Sequence, residues 1–388
     1  MTQTVPIIGA GIAGLTLGRS LRHRGIPSII LEKASSKPRF NYAITLHSTA
    51  YQPLLKILNL EETAFKKRVA VDAEDDGTGK IGDNIELPSS AGLYSTNSSF
   101  RANRAKFEQL LREDLDIRWQ TTVRSIEKTS QGHSLRFHDT ELLFGSKFLV
   151  GADGVHSDVR KLFLPASSRL DVLPYVAFNG KRRMERKEFD DIFGGEAAEK
   201  RTNVWEAKEG NVVLNVSVNE KTSEGVSISW IFSRPMHSNE DPLHRPNRPN
   251  DDAKKIPDEF FLEVGGLKNL KSPFSAIFDM EKVRGDRILH WLMRTTSAPM
   301  PDLRTLLVKS GVCLIGDAIH AEPIVGGNGA NAAIMDAMKL ADAISSDEED
   351  GVLKWYDEQH SIWVQGAEGS QKHIARMHGS SARASASL

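Results

Sequence analysis

The chain has 388 residues, with 50 basic against 51 acidic side chains and a formal net charge of −1. That length can bury a large core and predicts two domains. The balanced charge excludes whole-chain attraction to nucleic acid or an anionic membrane surface, and a lone cysteine, Cys313, excludes an internal disulfide.

No stretch approaches the roughly 18 apolar residues that a membrane span requires. The first strand begins almost at residue 1, so no cleaved leader is expected, and the expectation is a cytoplasmic protein. Val5 to Ile8 is a short apolar run and predicts a buried strand. Gly9-Ala10-Gly11-Ile12-Ala13-Gly14 follows, then a helical pattern to Arg24 that Gly25 and Pro27 stop. Ser28 to Leu31 is a second strand, with Glu32 at its end. This strand–turn–helix–strand unit fits a dinucleotide. Gly9 permits the tight turn, Gly11 lets backbone approach a pyrophosphate, and Gly14 lets helix and strand pack closely. The helix N-terminus offers N–H groups to phosphates, and Glu32 stands where a carboxylate can accept from ribose hydroxyls. The motif leaves FAD and NAD both open.

Ala43–Leu46 is a short apolar segment before a helix from Ser48, and 72–99 reads as polar loop or weak strand. Residues 100–114 read as one helix whose Arg104 opposes the macrodipole, as a solvated charge or as a phosphate or ribose partner. Ile117–Trp119, Val123–Glu127, Ser134–Phe137 and Leu142–Phe144 predict a meander. Phe148–Val150 is a buried strand running into GADGVHSDVR at 151–160. Asp153 there lies at the carboxyl end of a strand, where open α/β sheets place ligands.

Beyond residue 173 the pattern changes. Val212, Leu214, Val216 and Val218 alternate with other side chains, as do Val226, Ile228, Trp230 and Phe232. Period two over neighbouring runs predicts an antiparallel sheet with one buried face, hence a second domain. Residues 235–257 hold five prolines and predict a long loop. A helix near 258–264, a strand at Ile288–Met293 and a buried strand at Val312–Ile315 follow. Gly316-Asp317-Ala318 comes next, then helices over about 328–344 and 351–364. The tail 379–388 is expected to be disordered.

Three segments, GAGIAG with Glu32, GADGVHSDVR, and GDAIHAEPIVGGNGANAAIMDAMKLAD at 316–342, together resemble a known family. It is the single-component FAD-dependent aromatic hydroxylases, the group A flavin monooxygenases typified by para-hydroxybenzoate hydroxylase. The likeness is greatest to the salicylate-hydroxylase-like enzymes of microbial secondary metabolism. The resemblance implies an α/β fold: a Rossmann-like FAD-binding domain of the glutathione-reductase type, an antiparallel or mixed-sheet substrate domain, and C-terminal helices. It assigns 1–72, 100–168 and 286–378 to the first domain and 73–99 and 169–285 to the second.

The resemblance also implies roles. Gly9, Gly11 and Gly14 would cradle ADP, with Glu32 and neighbouring Lys33 at its ribose. Ala43 would lie beside the flavin, Arg104 and Asp317 would contact FAD, and Asp153 belongs to an Asp-Gly motif associated with both FAD and NAD(P)H pyrophosphates. Gly327, Gly329 and Ala330 would meet the flavin ring, where a helix N-terminus supplies N–H donors. Arg182 and Arg183, near Lys181, fall where the family often places a basic residue over the flavin, and His47 could face the substrate. No metal is implied.

The activity implied is monooxygenation. NAD(P)H reduces FAD, and a C4a-hydroperoxyflavin delivers one oxygen of O₂ to a small aromatic or polyketide-like substrate. Hydroxylation, epoxidation and Baeyer–Villiger insertion all remain open. The alternation along the sheet predicts a largely hydrophobic pocket above the ring. With no second GxGxxG, NAD(P)H would have no Rossmann domain of its own. Absence of WxWxIP argues against a halogenase. A flavin dehydrogenase or reductase and a non-catalytic flavin-fold protein are the alternatives. The partners implied are a small molecule and O₂, without nucleic acid, in a monomer or homodimer.

Overall fold

The computed structural model describes residues 4–38, 42–82, 99–137, 140–164, 170–194, 202–326, 328–346, 348 and 350–379. The tail expected to be disordered, apart from Gly379, lies outside them, as does Gly327.

In chain order the first elements are β1 (Val5–Ile8), α1 (Ile12–His23), β2 (Ser28–Leu31), β3 (Ala43–Leu46), α2 (Ser48–Leu58) and α3 (Glu62–Val69). Then come β4 (Phe100–Asn103), α4 (Arg104–Arg112), β5 (Ile117–Arg118), β6 (Ser125–Thr129), β7 (Gly132–Arg136), β8 (Glu141–Phe144), β9 (Leu149–Gly151) and α5 (Asp158–Phe163). The middle of the chain holds β10 (Asp171–Val172), β11 (Tyr175–Glu185), α6 (Arg186–Phe193), β12 (Val204–Glu209), β13 (Val212–Lys221) and β14 (Gly225–Pro235). The rest is α7 (Asp258–Gly266), α8 (Phe274–Ile277), α9 (Met280–Arg284), β15 (Arg287–Trp291), β16 (Arg294–Thr295), α10 (Met300–Ser310), β17 (Val312–Leu314), α11 (Gly329–Ser345) and α12 (Gly351–Met377).

Two five-stranded sheets carry the fold. The first, in the order β17-β9-β1-β2-β5, is parallel throughout. Its strands are short apolar runs because helices cover both faces. The second, β12-β13-β14-β11-β15, is antiparallel throughout. Its even-numbered side chains, including Phe178, Leu214, Val216, Ile228, Trp230 and Phe232, form a separate core with α7 to α9. Phe260 of α7 lies 4.1 Å from Phe178 and 5.5 Å from Phe232, ring centre to ring centre. The ribbon β3-β4 stands between the two sheets.

Four of the expected elements come out differently in the structure. Residues 100–114 are not one helix. Asn103 caps α4 by accepting from the Lys106 N–H at 3.1 Å, so the helix begins at Arg104 and the preceding four residues pair with β3. Ile117 joins β2 in the parallel sheet, so the meander keeps only β6-β7-β8. Residues 287–291, expected with the first domain, form β15 beside β11 in the antiparallel sheet. The last helix runs on to Met377, through glycines that would weaken it in isolation. Tertiary packing wins there: a Cβ at Gly366 would come within 3.3 Å of Glu322 Oε1. Among the described residues no helix is long and apolar enough to cross a membrane.

Candidate active site

A cavity of about 370 Å³ opens between the carboxyl ends of the parallel strands and one face of the antiparallel sheet. The three glycines of the first turn have three separate reasons to be glycine. Gly9 holds φ +108°, and a Cβ there would sit 2.5 Å from the Ala152 carbonyl oxygen. A Cβ at Gly14 would sit 2.0 Å from the Gly9 carbonyl oxygen. A Cβ at Gly11 would meet nothing within 4 Å, and Gly11 lines the cavity. The first two keep strand, turn and helix in contact. The third keeps open space over the N-terminus of α1.

Arg104, at the start of α4, also lines the cavity. Its Nε donates to Glu108 at 2.8 Å, Nη1 donates to the Tyr42 hydroxyl, and the guanidinium lies over the Tyr42 ring. Burial works against its charge, but Tyr42 and Glu108 outweigh that and raise its pKa. Asp317, after β17, exposes its side chain and lines the cavity, between buried Gly316 and Ala318. Desolvation raises its pKa, against the pull of His320 and Arg104. Ala43, Gly329 and Ala330 line the same space, and α11 has no acidic residue in its first turn to compete for the N–H groups.

Glu32, Lys33 and Asp153 stand apart from the cavity lining. Glu32 props the glycine turn: its two oxygens accept from the N–H groups of Ala10 and Ala34, each at 2.8 Å. Lys33 pairs with Asp158 at 3.1 Å. Asp153 accepts from the Ser157 hydroxyl and from the N–H groups of Asp158, at 2.7 Å, and Val159, at 3.1 Å. It thereby holds the start of α5.

Arg182 and Arg183, expected over the flavin, and His47, expected to face the substrate, do not line the cavity. Arg182 points to the opposite face of β11, where Nε and Nη2 grip Asp286 at 2.8 and 2.6 Å. Arg183 lies at the exposed end of the strand, off the cavity. His47 caps α2, is buried, and shares a 2.7 Å hydrogen bond with Ser99 Oγ. Desolvation lowers its pKa to about 4, so it is neutral at pH 7.

The face that meets the cavity also differs from expectation. It carries Asn179, Asn215, Ser217, Asn219, Ser229 and Ser233, with Val213, Ile231 and Trp291 among them. The apolar half of the alternation faces the helices instead. Sequence reading also missed Arg101, Glu322, His373 and Met377, which complete the lining. Reading 100–114 as a helix hid Arg101, since only pairing with β3 turns it inward. The polar residues stand at the alternate positions of the same strands, and the sequence alone does not say which set meets the cavity.

Comparison with known proteins agrees with this geometry. The family described as FAD binding domain matches residues 1–169 and 290–367. The chain is 30% identical to the FAD-dependent monooxygenase adaC of Aspergillus niger, over 97% of this chain and 94% of that protein. It is 33% identical to the FAD-dependent monooxygenase nscC of Arthroderma otae, over 88% of this chain and 84% of that one. In fold it is similar to 2,6-dihydroxypyridine-3-hydroxylase from Arthrobacter nicotinovorans, with a TM-score of 0.72 at 17% identity, over 100% of this chain and 95% of that one. A turn opened by Gly11, an aspartate lining the cavity and a family match on both sides of the antiparallel sheet lead to one conclusion: the chain belongs to the FAD-binding-domain family of FAD-dependent monooxygenases.

Proposed function

We propose that this protein uses NAD(P)H and FAD to insert one atom of O₂ into a small aromatic or polyketide-like metabolite, with hydroxylation as the favoured outcome. The observation that carries the reading is the convergence of Gly11, Asp317 and the Gly329-Ala330 turn on one cavity beneath the antiparallel sheet. The residues present fit FAD. The N-terminus of α1 would hold its pyrophosphate, with clearance provided by Gly11. Glu32 would hold the ribose end directly or through the turn it braces, with Lys33 and Asp153 nearby. Arg104 and Asp317 would hold the chain between nucleotide and ring. Backbone N–H groups at Gly329 and Ala330 would meet the ring's electron-rich edge, beside Ala43; Gly327, which the resemblance adds, lies outside the described residues.

Bound FAD supplies the redox chemistry that amino-acid side chains lack, taking electrons from NAD(P)H and activating O₂. This chain's own part is to bind, orient and keep water out. Ile231, Trp291 and Val325 give the cavity its apolar walls, and the Asn and Ser side chains of the sheet give it hydrogen-bonding groups that orient a polar substrate. We take residues 1–72, 100–168 and 292–378 as the FAD-binding part and 73–99 with 169–291 as the substrate part. The proposal includes a cytoplasmic setting and a monomer or homodimer; buried Cys313 suits a reducing compartment.

The test is incubation of the purified protein with NADPH, ¹⁸O₂ and a panel of phenols and naphthols, read by mass. Product carrying one ¹⁸O, with NADPH oxidation stimulated by that substrate, is the expected result. NADPH consumption with no label in any product favours a dehydrogenase or reductase. A protein that neither retains FAD nor gains thermal stability from it overturns the reading.

A further inference from the structure

Among the described residues Arg101 has no counter-charge. It stands opposite Thr45 in the β3-β4 ribbon, half-buried, and lines the cavity. Nη1 donates to Thr45 Oγ1 at 3.0 Å, and Nη2 donates to the Ala43 carbonyl at 2.9 Å and to Ser217 Oγ at 3.3 Å. All three acceptors are neutral. Nε is buried without a hydrogen-bond partner. Burial pulls the pKa down to about 10 and no charged side chain offsets it, so the group is still a cation at neutral pH.

Three other enclosed arginines are paired, Arg182 with Asp286, Arg234 with Asp241 and Glu263, and Arg104 with Glu108; Arg160 donates only to backbone carbonyls, but Asp153 and Asp317 lie near enough to favour its charge. Buried charge is costly when unpaired, and proteins ordinarily supply the partner. The carboxylates that line the cavity, Glu206, Asp317 and Glu322, make no ion pair with Arg101. Its reach to Ser217 directs the guanidinium toward the antiparallel sheet, in the same cavity that Asp317 and Gly329 line.

We propose that Arg101 is the seat for an ionised oxygen of the substrate, a phenolate or enolate, with the neutral donors of the sheet face completing its hydrogen bonds. The inference rests on the reading of this cavity as a monooxygenase site. Arg101 then selects acidic phenols and enols over neutral rings of the same shape. It is a binding residue and is not assigned to hold FAD.

The probe is 4-nitrophenol, whose ionised form has its own absorption band. It is titrated into FAD-loaded protein at a pH below its solution pKa and followed by difference spectra. Wild type is expected to show a saturable ionised band. Arg101→Gln weakens it roughly tenfold or more, the loss of one charge-assisted contact. Arg101→Lys, which keeps the charge, retains part of the signal, and both variants keep their FAD. Absence of the ionised band with wild type overturns the proposal, as does equal affinity in Arg101→Gln. Loss of FAD rather than of the probe overturns it too, and assigns Arg101 to the cofactor. Failure of the monooxygenase reading shows elsewhere, as missing ¹⁸O in product while the ionised band remains.

Discussion

The Ala43 N–H donates to Asn219 Oδ1 at 3.0 Å, and the same Asn219 side chain donates from Nδ2 to Ser229 Oγ at 2.8 Å. Asn103 Nδ2 adds a bond to the Asn219 carbonyl at 3.0 Å. One fully buried amide thus fastens the ribbon to the sheet across the cavity wall. Asn219→Ala leaves the Ala43 N–H without its acceptor and is expected to cost about 1–3 kcal/mol. Urea unfolding of the FAD-free protein measures the loss.

Glycines of one turn should respond in opposite ways. Gly14→Ala forces a carbon to within 2.0 Å of the Gly9 carbonyl oxygen, so the turn must open and the fold weakens. Gly11→Ala meets no atom within 4 Å, and stability without FAD should change by no more than about 0.5 kcal/mol. Its FAD affinity should still fall, because the added methyl occupies the ligand's space. Thermal melts with and without FAD separate the two effects.

Asp317→Ala removes a carboxylate that lines the cavity. Hydrogen bonds to a charged group contribute about 1.5–3 kcal/mol, so FAD should bind roughly tenfold or more weakly. Fluorescence of released FAD in equilibrium dialysis gives the constant.

Arg182 should matter for stability and not for turnover. Asp286, which also accepts from Trp230 Nε1 at 2.7 Å, is only 5% exposed at its side chain. Arg182→Met strands that carboxylate, at a cost of about 3–5 kcal/mol. Arg183→Ala, at an exposed position, should change stability by no more than about 0.5 kcal/mol. Chemical denaturation ranks the two, and KM for whichever phenol is turned over should be unchanged in Arg183→Ala.

His47 gives a stability term that depends on pH. Its pKa falls from 6.5 to about 4 on folding. Between these values the unfolded chain binds a proton that the folded protein refuses, so stability is full above about pH 6.5 and is lost as pH falls toward 4. The most it can contribute is on the order of 3 kcal/mol. His47→Gln should flatten the dependence of the urea midpoint on pH across this window. An unchanged slope would show that His47 already titrates in the folded state.

Local signals were enough for the first unit of the fold. Gly9, Gly11 and Gly14 at fixed spacing after Val5–Ile8 define strand, turn and helix whatever surrounds them, because backbone sterics act within a few residues. Alternation at 212–218 and 226–232 was equally local, since successive side chains on a strand point to opposite faces. It determined that the sheet has an apolar and a polar face. Which face meets the cavity was decided by α7 to α9, contributed by residues far along the chain, whose phenylalanines cover the apolar side. The same parity turned Arg182 toward Asp286 and left Asn179 lining the cavity. Arg101 reads as one more helical cation until β4 pairs with β3 and turns it inward. Sequence determined the periodicities, and with them the elements and the nucleotide turn. Tertiary structure decided which face of each element met which neighbour, because burial and charge pairing are set by groups distant in the chain.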